Sequence, residues 1–181
     1  MELRGARCIV RNWRASDAGS LARCANNANI AKHLRDRFPH PYTVEDARGF
    51  LQATMSPDAE AVNLAIEVDG RAIGAVGFNP GTDVERYSAE IGYWLAEEYW
   101  SRGIVSEAVR LVTDHAFEHL NLLRLFALPF ADNAASVRVL EKAGYTREGL
   151  LHASAVKHGE VRDQLIYARI NPHWREPSHA R

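Results

Sequence analysis

A short turn between a predicted strand and a predicted helix carries the clearest chemical signal in this chain. Ser101-Arg102-Gly103 follows a buried-strand pattern, and an amphipathic helix begins directly after it. A strand that passes through a glycine turn into a helix leaves backbone N–H groups pointing outward, and such a nest binds phosphate. Arg102 adds a positive charge at this turn. Alternatively, Ser101 or Ser106 caps the helix from within the chain.

Length, composition and charge limit the classes of protein to which this chain can belong. The 181 residues suffice for one domain with a full hydrophobic core. The net charge of −1 does not favour nucleic acid as the main ligand. No apolar run approaches the roughly 20 residues that a membrane span needs, and residues 2–7 are too polar for a signal peptide. Cys8 and Cys24 match no metal or disulfide spacing, so we expect no metal and a reducing, cytoplasmic compartment.

The helices and strands that position this turn can be predicted from the spacing of apolar residues along the chain. In the first half, the prolines at 39 and 41 separate helical patterns. Helices are predicted at 17–26, continued by a short segment at 30–34, and at 44–55. Strands are predicted at 8–13, 62–68, 71–78 and 87–95, with Asp69-Gly70 as a hairpin turn.

The second half alternates helix and strand. A helix follows the turn through residue 120, and Asn133 caps another that ends near Gly144. Strands are predicted at 123–128, 145–151 and 164–169. The pattern predicts an α/β (α+β) fold with a central mixed sheet of about six or seven strands and about four helices. We expect a single domain over residues 1–170 and a polar, mobile tail over 171–181.

Three long blocks resemble the GCN5-related N-acetyltransferase (GNAT) superfamily, and within it the branch that acetylates N-terminal amines of ribosomal proteins. They are AEIGYWLAEEYWSRGIVSEAV at 89–109, ADNAASVRVLEKAGYTREGLL at 131–151 and HGEVRDQLIYARI at 158–170. The segment IVRNWRASDAGSLARCANNANIAKHL is similar to the same branch. The resemblance spans residues 7–170. It implies a strongly twisted sheet with a splayed parallel strand pair, and direct transfer from acetyl-CoA to a primary amine.

The acetyl-CoA signature of the family, (Arg/Gln)-x-x-Gly-x-(Gly/Ala), aligns with WSRGIV at 100–105. Gly103 matches the central glycine, whereas Trp100 and Val105 differ from the first and last positions. The resemblance implies that N–H groups in this region cradle the pyrophosphate of acetyl-CoA. The residues concerned are Arg102, Gly103, Ile104, Val105 and Ser106.

The resemblance also implies a cleft beside the strand at 91–95. Here this strand would part from its parallel neighbour at 123–128, and the pantetheine arm would pair with the exposed backbone like an added strand. Tyr93, Trp94 and Leu95 would then line the thioester. The N–H at or near Leu95 would polarise the thioester carbonyl as negative charge develops on it.

Asn133 and Ser136 lie near one face of the first turn of a predicted helix, where a ligand in the cleft could meet them. The alternative is a simple N-cap with a solvated serine. The resemblance implies that Asn133 contacts the cofactor arm and that Ser136 protonates the departing thiolate. Tyr145 is an alternative acid, although it begins a strand and fits a core position equally well.

A protonated amine needs a base, and Glu90 is our leading candidate. Its neighbours in the strand are mostly apolar, so we expect desolvation to raise its pKa and a water to relay the proton. Glu90 could instead pair with a cation or bind the substrate ammonium. Asp163 is a weaker alternative base, and three histidines read as surface or loop residues: His33, His40 and His152.

Phe38 and Tyr42 could form a wall of the acceptor site, or could anchor their loop to the core. The resemblance favours a ribosomal-protein N-terminus as acceptor and is compatible with a homodimer. Two other functions stay open: acetylation of a small amine such as an amino sugar, a polyamine or an amino-acid analogue, and a non-catalytic acyl-CoA sensor.

Overall fold

Eight strands form one sheet in the computed structural model, which describes residues 1–176. The strands are β1 (Glu2–Arg4), β2 (Ile9–Arg11), β3 (Val62–Val68), β4 (Arg71–Pro80), β5 (Ser88–Leu95), β6 (Arg124–Ala127), β7 (Thr146–Lys157) and β8 (Glu160–Ile170). Their spatial order is β1-β2-β3-β4-β5-β6-β8-β7. Every neighbouring pair is antiparallel except β5 and β6, which are parallel. The predicted mixed sheet is therefore confirmed, with slightly more strands than expected.

Within residues 1–176, five α-helices cover the two faces of this sheet. They are α1 (Ala18–Ala25), α2 (Ala28–Ala31), α3 (Val44–Thr54), α4 (Ile104–His119) and α5 (Ala134–Lys142). Leu21 of α1 and Leu51 of α3 join a core on one face, and Val112 of α4 and Leu140 of α5 join the core on the other. The additional helix is α2, a single turn that begins anew because the Asn27 side chain accepts from the amides of Asn29 and Ile30.

The sequence pattern missed β1 because Glu2–Arg4 has a single apolar residue, Leu3, and three residues are too few to show alternation. This strand forms by pairing with β2, and the segment that follows it is fastened to α4. The amides of Ala6 and Arg7 donate to the Glu107 carboxylate at 3.1 and 2.7 Å. Glu107 is buried, so these bonds hold a charged side chain inside the protein without leaving it unpartnered.

The hairpin of β7 and β8 is longer than predicted at both inner ends. His158 and Gly159 form its turn with φ of 52° and 81°, the left-handed region that favours glycine. Polar residues of β7 were predicted to be a loop because alternation is absent there. β7 lies at the sheet edge and is mostly exposed, so its pairing with β8 requires no apolar face.

The tail that was predicted to be mobile begins with a docked segment. Asn171 Nδ2 donates to the carbonyls of Phe117 and Leu122, and Trp174 Nε1 donates to the Asn121 carbonyl at 3.0 Å. The Trp174 ring also packs on Tyr87, with 5.2 Å between ring centroids. Residues 177–181 of this predicted tail lie outside the described residues. None of the helices formed by residues 1–176 is both long and apolar enough to span a bilayer.

Candidate active site

The two parallel strands part to open a cleft. β5 and β6 pair from Ser88↔Arg124 to Glu90↔Phe126, and within residues 1–176 their register goes no further. β5 continues to Leu95 while β6 ends at Ala127. The cleft between them has a volume of about 480 Å³ and is lined by both strands and by the first turns of α4 and α5. The predicted splay of the parallel pair is therefore present.

Backbone groups of β5 point into this cleft. In an antiparallel ladder, residues that bond one neighbour alternate with residues whose N–H and C=O face away from it. The Ala96 amide donates to the Ile73 carbonyl of β4 at 2.8 Å, so Leu95 and Tyr93 present their N–H groups on the side where β6 has parted. The Leu95 carbonyl is occupied, because Trp100 Nε1 donates to it at 2.7 Å. The Leu95 N–H thus faces the cleft, and its role as a donor to the thioester stays a prediction.

The turn before α4 exposes the amides predicted to bind phosphate. Gly103 has a φ of 76°, and the first intrahelical bond runs from Glu107 N to the Gly103 carbonyl. The amides of Ile104, Val105 and Ser106 precede that bond and so lack intrahelical partners. No side chain within residues 1–176 caps this end, so the alternative of a cap from Ser101 or Ser106 is not realised.

Side chains around this turn place positive charge near the exposed amides. Arg102 donates to the Glu98 carbonyl at 2.8 Å and lies over the Tyr99 ring, which keeps its guanidinium beside the turn. The Val105 side chain packs against the core. Two cations of α5, Arg138 and Lys142, also line the cleft, although nothing in the sequence pattern had singled them out.

Ser136 and Tyr93 form a hydroxyl pair inside the cleft. Their oxygens lie 2.8 Å apart, and either can be the donor. The Ser136 carbonyl, 3.3 Å from Tyr93 Oη, is an alternative acceptor for the single Tyr93 hydroxyl proton. Burial raises the pKa of Tyr93, so this hydroxyl stays protonated and can supply Ser136 with a hydrogen bond. Asn133 caps α5 by accepting from the Ser136 amide at 3.1 Å, and it lines the cleft as well.

Tyr145, the alternative acid, lies in the core. Its hydroxyl is 2.7 Å from Thr113 Oγ1, and both residues are buried. Burial raises the pKa of Tyr145 as it does that of Tyr93. Tyr145 is not among the residues that line the cleft, so the structure separates it from the pair formed by Ser136 and Tyr93.

Glu90 lines the cleft but does not have the apolar surroundings that we expected. The Arg35 guanidinium, from the loop after α2, forms an ion pair with the Glu90 carboxylate. Glu90 also retains partial solvent exposure. The sequence suggested a cation pair only as an alternative, because these two residues are 55 positions apart.

Phe38 and Tyr42 pack beside the cleft rather than lining it. Their rings pack on each other at 5.0 Å, and Phe38 packs on Trp94 at 5.7 Å. Tyr42 is buried, and neither residue is among those lining the cleft. Trp94 does line it. Of the two interpretations left open by the sequence, the contacts correspond to anchoring of the loop.

The cleft connects the two faces of the sheet. Tyr93 and Leu95 pack with the core on the side of α4, whereas Trp94 packs with the core on the side of α1 and α3. Because successive strand residues point to opposite faces, Glu90 shares the face of Trp94. The hydroxyl pair and the carboxylate therefore approach the gap between β5 and β6 from opposite sides.

A second, smaller cavity of about 160 Å³ adjoins the cleft. Lys157 lines it, and Lys157 is buried with its Nζ 2.7 Å from the exposed carboxylate of Asp36. The same loop thus binds β5 through Arg35 and β7 through Asp36. Asp163 lies elsewhere, held by His152 and the Ala153 amide on the hairpin of β7 and β8.

Comparison with known proteins assigns the chain to a family. The family model of the acetyltransferase (GNAT) domain matches residues 7–146. The chain therefore belongs to the GNAT acetyltransferases and is an N-acetyltransferase.

Among its relatives, the probable N-acetyltransferase YjcK of Bacillus subtilis (strain 168) is 36% identical over 182 residues, covering 94% of this chain and 97% of YjcK. The ribosomal-protein-serine acetyltransferase of Escherichia coli (strain K12) is 33% identical over 128 residues, covering 70% and 71% of the two chains. The solved ribosomal-protein-S5-alanine acetyltransferase from Vibrio fischeri superposes with a TM-score of 0.82 at 25% identity, covering 97% of this chain and all of that one. The predicted resemblance to the ribosomal-protein branch is confirmed.

Proposed function

We propose that this protein moves an acetyl group directly from acetyl-CoA to a primary amine, and that the amine is the N-terminus of a protein or peptide. One observation carries the proposal: a cleft runs between two parted strands, with unpaired amides at one end and a hydroxyl pair and a carboxylate near its centre. The name of the Escherichia coli relative supports a ribosomal-protein acceptor. We also keep the cytoplasmic location and the homodimer as predictions.

Acetyl-CoA fits this cleft as the donor substrate. The amides of Ile104 to Ser106 would bind its pyrophosphate, with Arg102, Arg138 and Lys142 adding positive charge. The exposed backbone of Tyr93 and Leu95 would pair with the pantetheine arm, and Asn133 would contact it. The Leu95 N–H would donate to the thioester oxygen, where charge develops as the amine attacks.

Two side chains would then move protons. Ser136 would protonate the departing thiolate, and its oxygen, stabilised by the Tyr93 hydroxyl 2.8 Å away, would recover a proton from the second N–H that the amine loses, directly or through water, as the amide forms. Glu90 would bind the acceptor ammonium and accept its first proton, directly or through water. Since Arg35 holds this carboxylate, acceptor binding would replace one cation by another.

An amine panel tests the proposal. Purified protein would be incubated with acetyl-CoA and either short peptides that begin with alanine or serine, or spermidine and an amino sugar, while released thiol is measured. Higher kcat/KM for the peptides is the expected result. A higher kcat/KM for the small amines would show that a small amine, and not a peptide N-terminus, is the acceptor. Binding of acetyl-CoA without turnover on any amine would indicate a sensor.

Glu90→Gln tests the role of the carboxylate. The variant keeps the size of the side chain but loses its charge, so we expect a higher KM for the peptide and a kcat lowered by about 10²-fold. The affinity for acetyl-CoA should change by less than about twofold, since Glu90 approaches from the other face of the sheet. An unchanged pH–rate profile would exclude Glu90 as the base.

A further inference from the structure

Lys157 of β7 carries a buried ammonium group and lines the second cavity. Its side chain is only 4% exposed, and its Nζ lies 2.7 Å from Asp36 Oδ1. An ammonium group has three N–H donors, and within residues 1–176 the contact with Asp36 is its one hydrogen bond. Burial of a charged group with donors left over is unfavourable, so this nitrogen favours a further acceptor.

The ion pair of Lys157 and Asp36 is within reach of a ligand. The Asp36 side chain is 70% exposed, so its contact with Lys157 lies at the surface end of the cavity and not in the closed core. A ligand carboxylate at Lys157 would therefore displace Asp36 into water, where this side chain is already largely solvated.

The rest of the cavity suits a short side chain with an apolar stem. Gln164 is already engaged, because its Nε2 donates to the Leu128 carbonyl at 2.9 Å and its Oε1 accepts from Ser154 Oγ at 3.2 Å. Lys157 is therefore the group with donors to spare, and its charge favours an anion. Five apolar residues also line the cavity: Leu34, Leu128, Phe130, Ala155 and Val156.

The loop after α2 presents two opposite charges to two fixed partners. Arg35 pairs with Glu90 at the cleft, and the next residue, Asp36, pairs with Lys157 at the second cavity. Because consecutive Cα atoms are about 3.8 Å apart, charges on neighbouring residues of one chain satisfy both partners. Glu90 and Lys157 thus form a site for a cation beside a site for an anion.

We propose that the second cavity binds an acidic side chain of the acceptor: with the N-terminal ammonium at Glu90, an Asp or Glu at the second or third residue places its carboxylate at Lys157. This inference rests on the proposed transfer to a peptide N-terminus and adds the sequence of that peptide. The acceptor would reproduce the charge pair of Arg35 and Asp36. Arg35 lines both spaces, so once displaced from Glu90 it adds a second cation beside the carboxylate.

Four peptides test this subsite: Ser-Glu-Ala-Ala, Ser-Ala-Glu-Ala and the two counterparts with glutamine in place of glutamate. Glutamine has the size of glutamate but no charge. Because a charged acceptor binds an ammonium more strongly than a neutral one, we expect kcat/KM to be about tenfold higher for glutamate than for glutamine at one of the two positions. The difference should lie in KM rather than in kcat.

Variants of two cations on β7 test whether Lys157 causes this preference. Lys157→Met removes the charge, so the ratio of kcat/KM for the glutamate and glutamine peptides should fall to about one. Lys157→Arg keeps the charge and should keep part of the preference. Arg147→Met is the matched control, because Arg147 is exposed on the same strand and is not among the residues that line either space. Its ratio should equal that of the wild type.

Asp36→Asn separates binding from a structural role. The variant removes the internal carboxylate that competes for Lys157, so the KM for the glutamate peptide should fall about threefold. If the ion pair only fastened the loop, breaking it would instead raise the KM for the glutamate and glutamine peptides alike.

Each outcome decides one of the two proposals. Equal kcat/KM for glutamate and glutamine peptides in the wild type would overturn the inference and leave the proposed function intact. A preference that Lys157→Met leaves unchanged would do the same, as would a KM that rises for both peptides in Asp36→Asn. If acetyl-CoA binds but no peptide is acetylated, the proposed function fails and the inference fails with it.

Discussion

At the scale of single residues, the pair of Ser136 and Tyr93 is where we propose that the sulfur of the donor lies. The sequence pattern predicted Ser136 from its position at the start of a helix and Tyr93 from its position in a strand, but with separate roles. Their 2.8 Å contact joins them across 43 positions. Such a contact depends on how α5 docks beside β5, and no local pattern encodes that docking.

Ser136→Ala should lower kcat about 10²-fold, because the thiolate then leaves without a proton donor. Tyr93→Phe should lower it less, since Ser136 remains. The measurement is steady-state thiol release with saturating peptide. Tyr145→Phe is the comparison, because it also removes a buried tyrosine hydroxyl but only breaks the bond to Thr113. A larger loss of kcat in Tyr145→Phe than in Ser136→Ala would return Tyr145 to the role of acid.

At the scale of elements, β5 contributes to both faces of the sheet by its alternation. Its odd-numbered residues face the core on the side of α4, where we propose that the donor binds, and its even-numbered residues face the side of α1 and α3, where we propose that the acceptor binds. Gly92 lies on the latter face between Glu90 and Trp94. A Cβ added at Gly92 would meet no atom within 4 Å, so the glycine leaves open space rather than relieving a close contact.

Gly92→Leu should therefore block the acceptor and spare the donor. We expect the KM for the peptide to rise about tenfold or more, with the Kd for acetyl-CoA and the Tm nearly unchanged. Gly92→Ala, with a side chain of one carbon, serves as the graded control and should have a smaller effect. Loss of acetyl-CoA binding in Gly92→Leu would contradict the assignment of the two faces.

Some turns and helix ends could be predicted from local sequence patterns, whereas two strand segments could not. The turn at Asp69-Gly70, with φ of 49° and 75°, and the helix terminator Gly144, with φ of 85°, follow from local chemistry and were predicted. β1 and the inner half of β7 were not, because they have too few apolar residues to show a periodic pattern and their structure comes from pairing with β2 and β8. Strand pairing is a long-range property that single-sequence patterns do not contain.

At the scale of the whole molecule, a buried charge cluster joins separate parts of the chain. Arg11 of β2 binds both oxygens of Asp17 at 2.8 and 3.0 Å and also binds Glu67 of β3. Arg11 is only 3% exposed. Arg11→Met would remove the buried cation and leave Asp17 with the Arg14 amide and Glu67 with the exposed Arg14 guanidinium, so we expect a loss of about 3–5 kcal/mol in the free energy of unfolding. Arg48→Met, on the exposed surface of α3, should change it little in the same urea titration.

This cluster also predicts acid sensitivity. Burial favours the neutral acid of Asp17, but the bonds from Arg11 and from the Arg14 amide outweigh it and lower the pKa of Asp17. A lowered folded pKa stabilises the protein above the unfolded value of about 3.9, and this contribution is lost as pH falls through the folded pKa. Between pH 7 and pH 3, the wild type should thus lose more unfolding free energy than Asp17→Asn. Equal losses would show that Asp17 does not contribute.

The sequence anticipated the family and the mixed sheet, and most of the predicted site residues line the cleft, because those residues lie in long contiguous blocks. It could not anticipate what closes the acceptor side. Arg35 meets Glu90, and Asp36 meets Lys157 from 121 positions away. Phe38 and Tyr42 were open to two interpretations for the same reason, since burial is decided by the packed core rather than by residue type.

The cleft connects the two faces of the sheet, and this has a consequence for the order in which the two substrates bind. If the thioester is reached from the α4 side and the amine from the α1 side, neither reactant obstructs the route of the other. Binding should then proceed in either order, and initial-rate lines in double-reciprocal plots should intersect instead of running parallel. A dead-end analogue of the amine should then be a noncompetitive inhibitor toward acetyl-CoA, whereas obligatory binding of acetyl-CoA before the amine would make the inhibition uncompetitive.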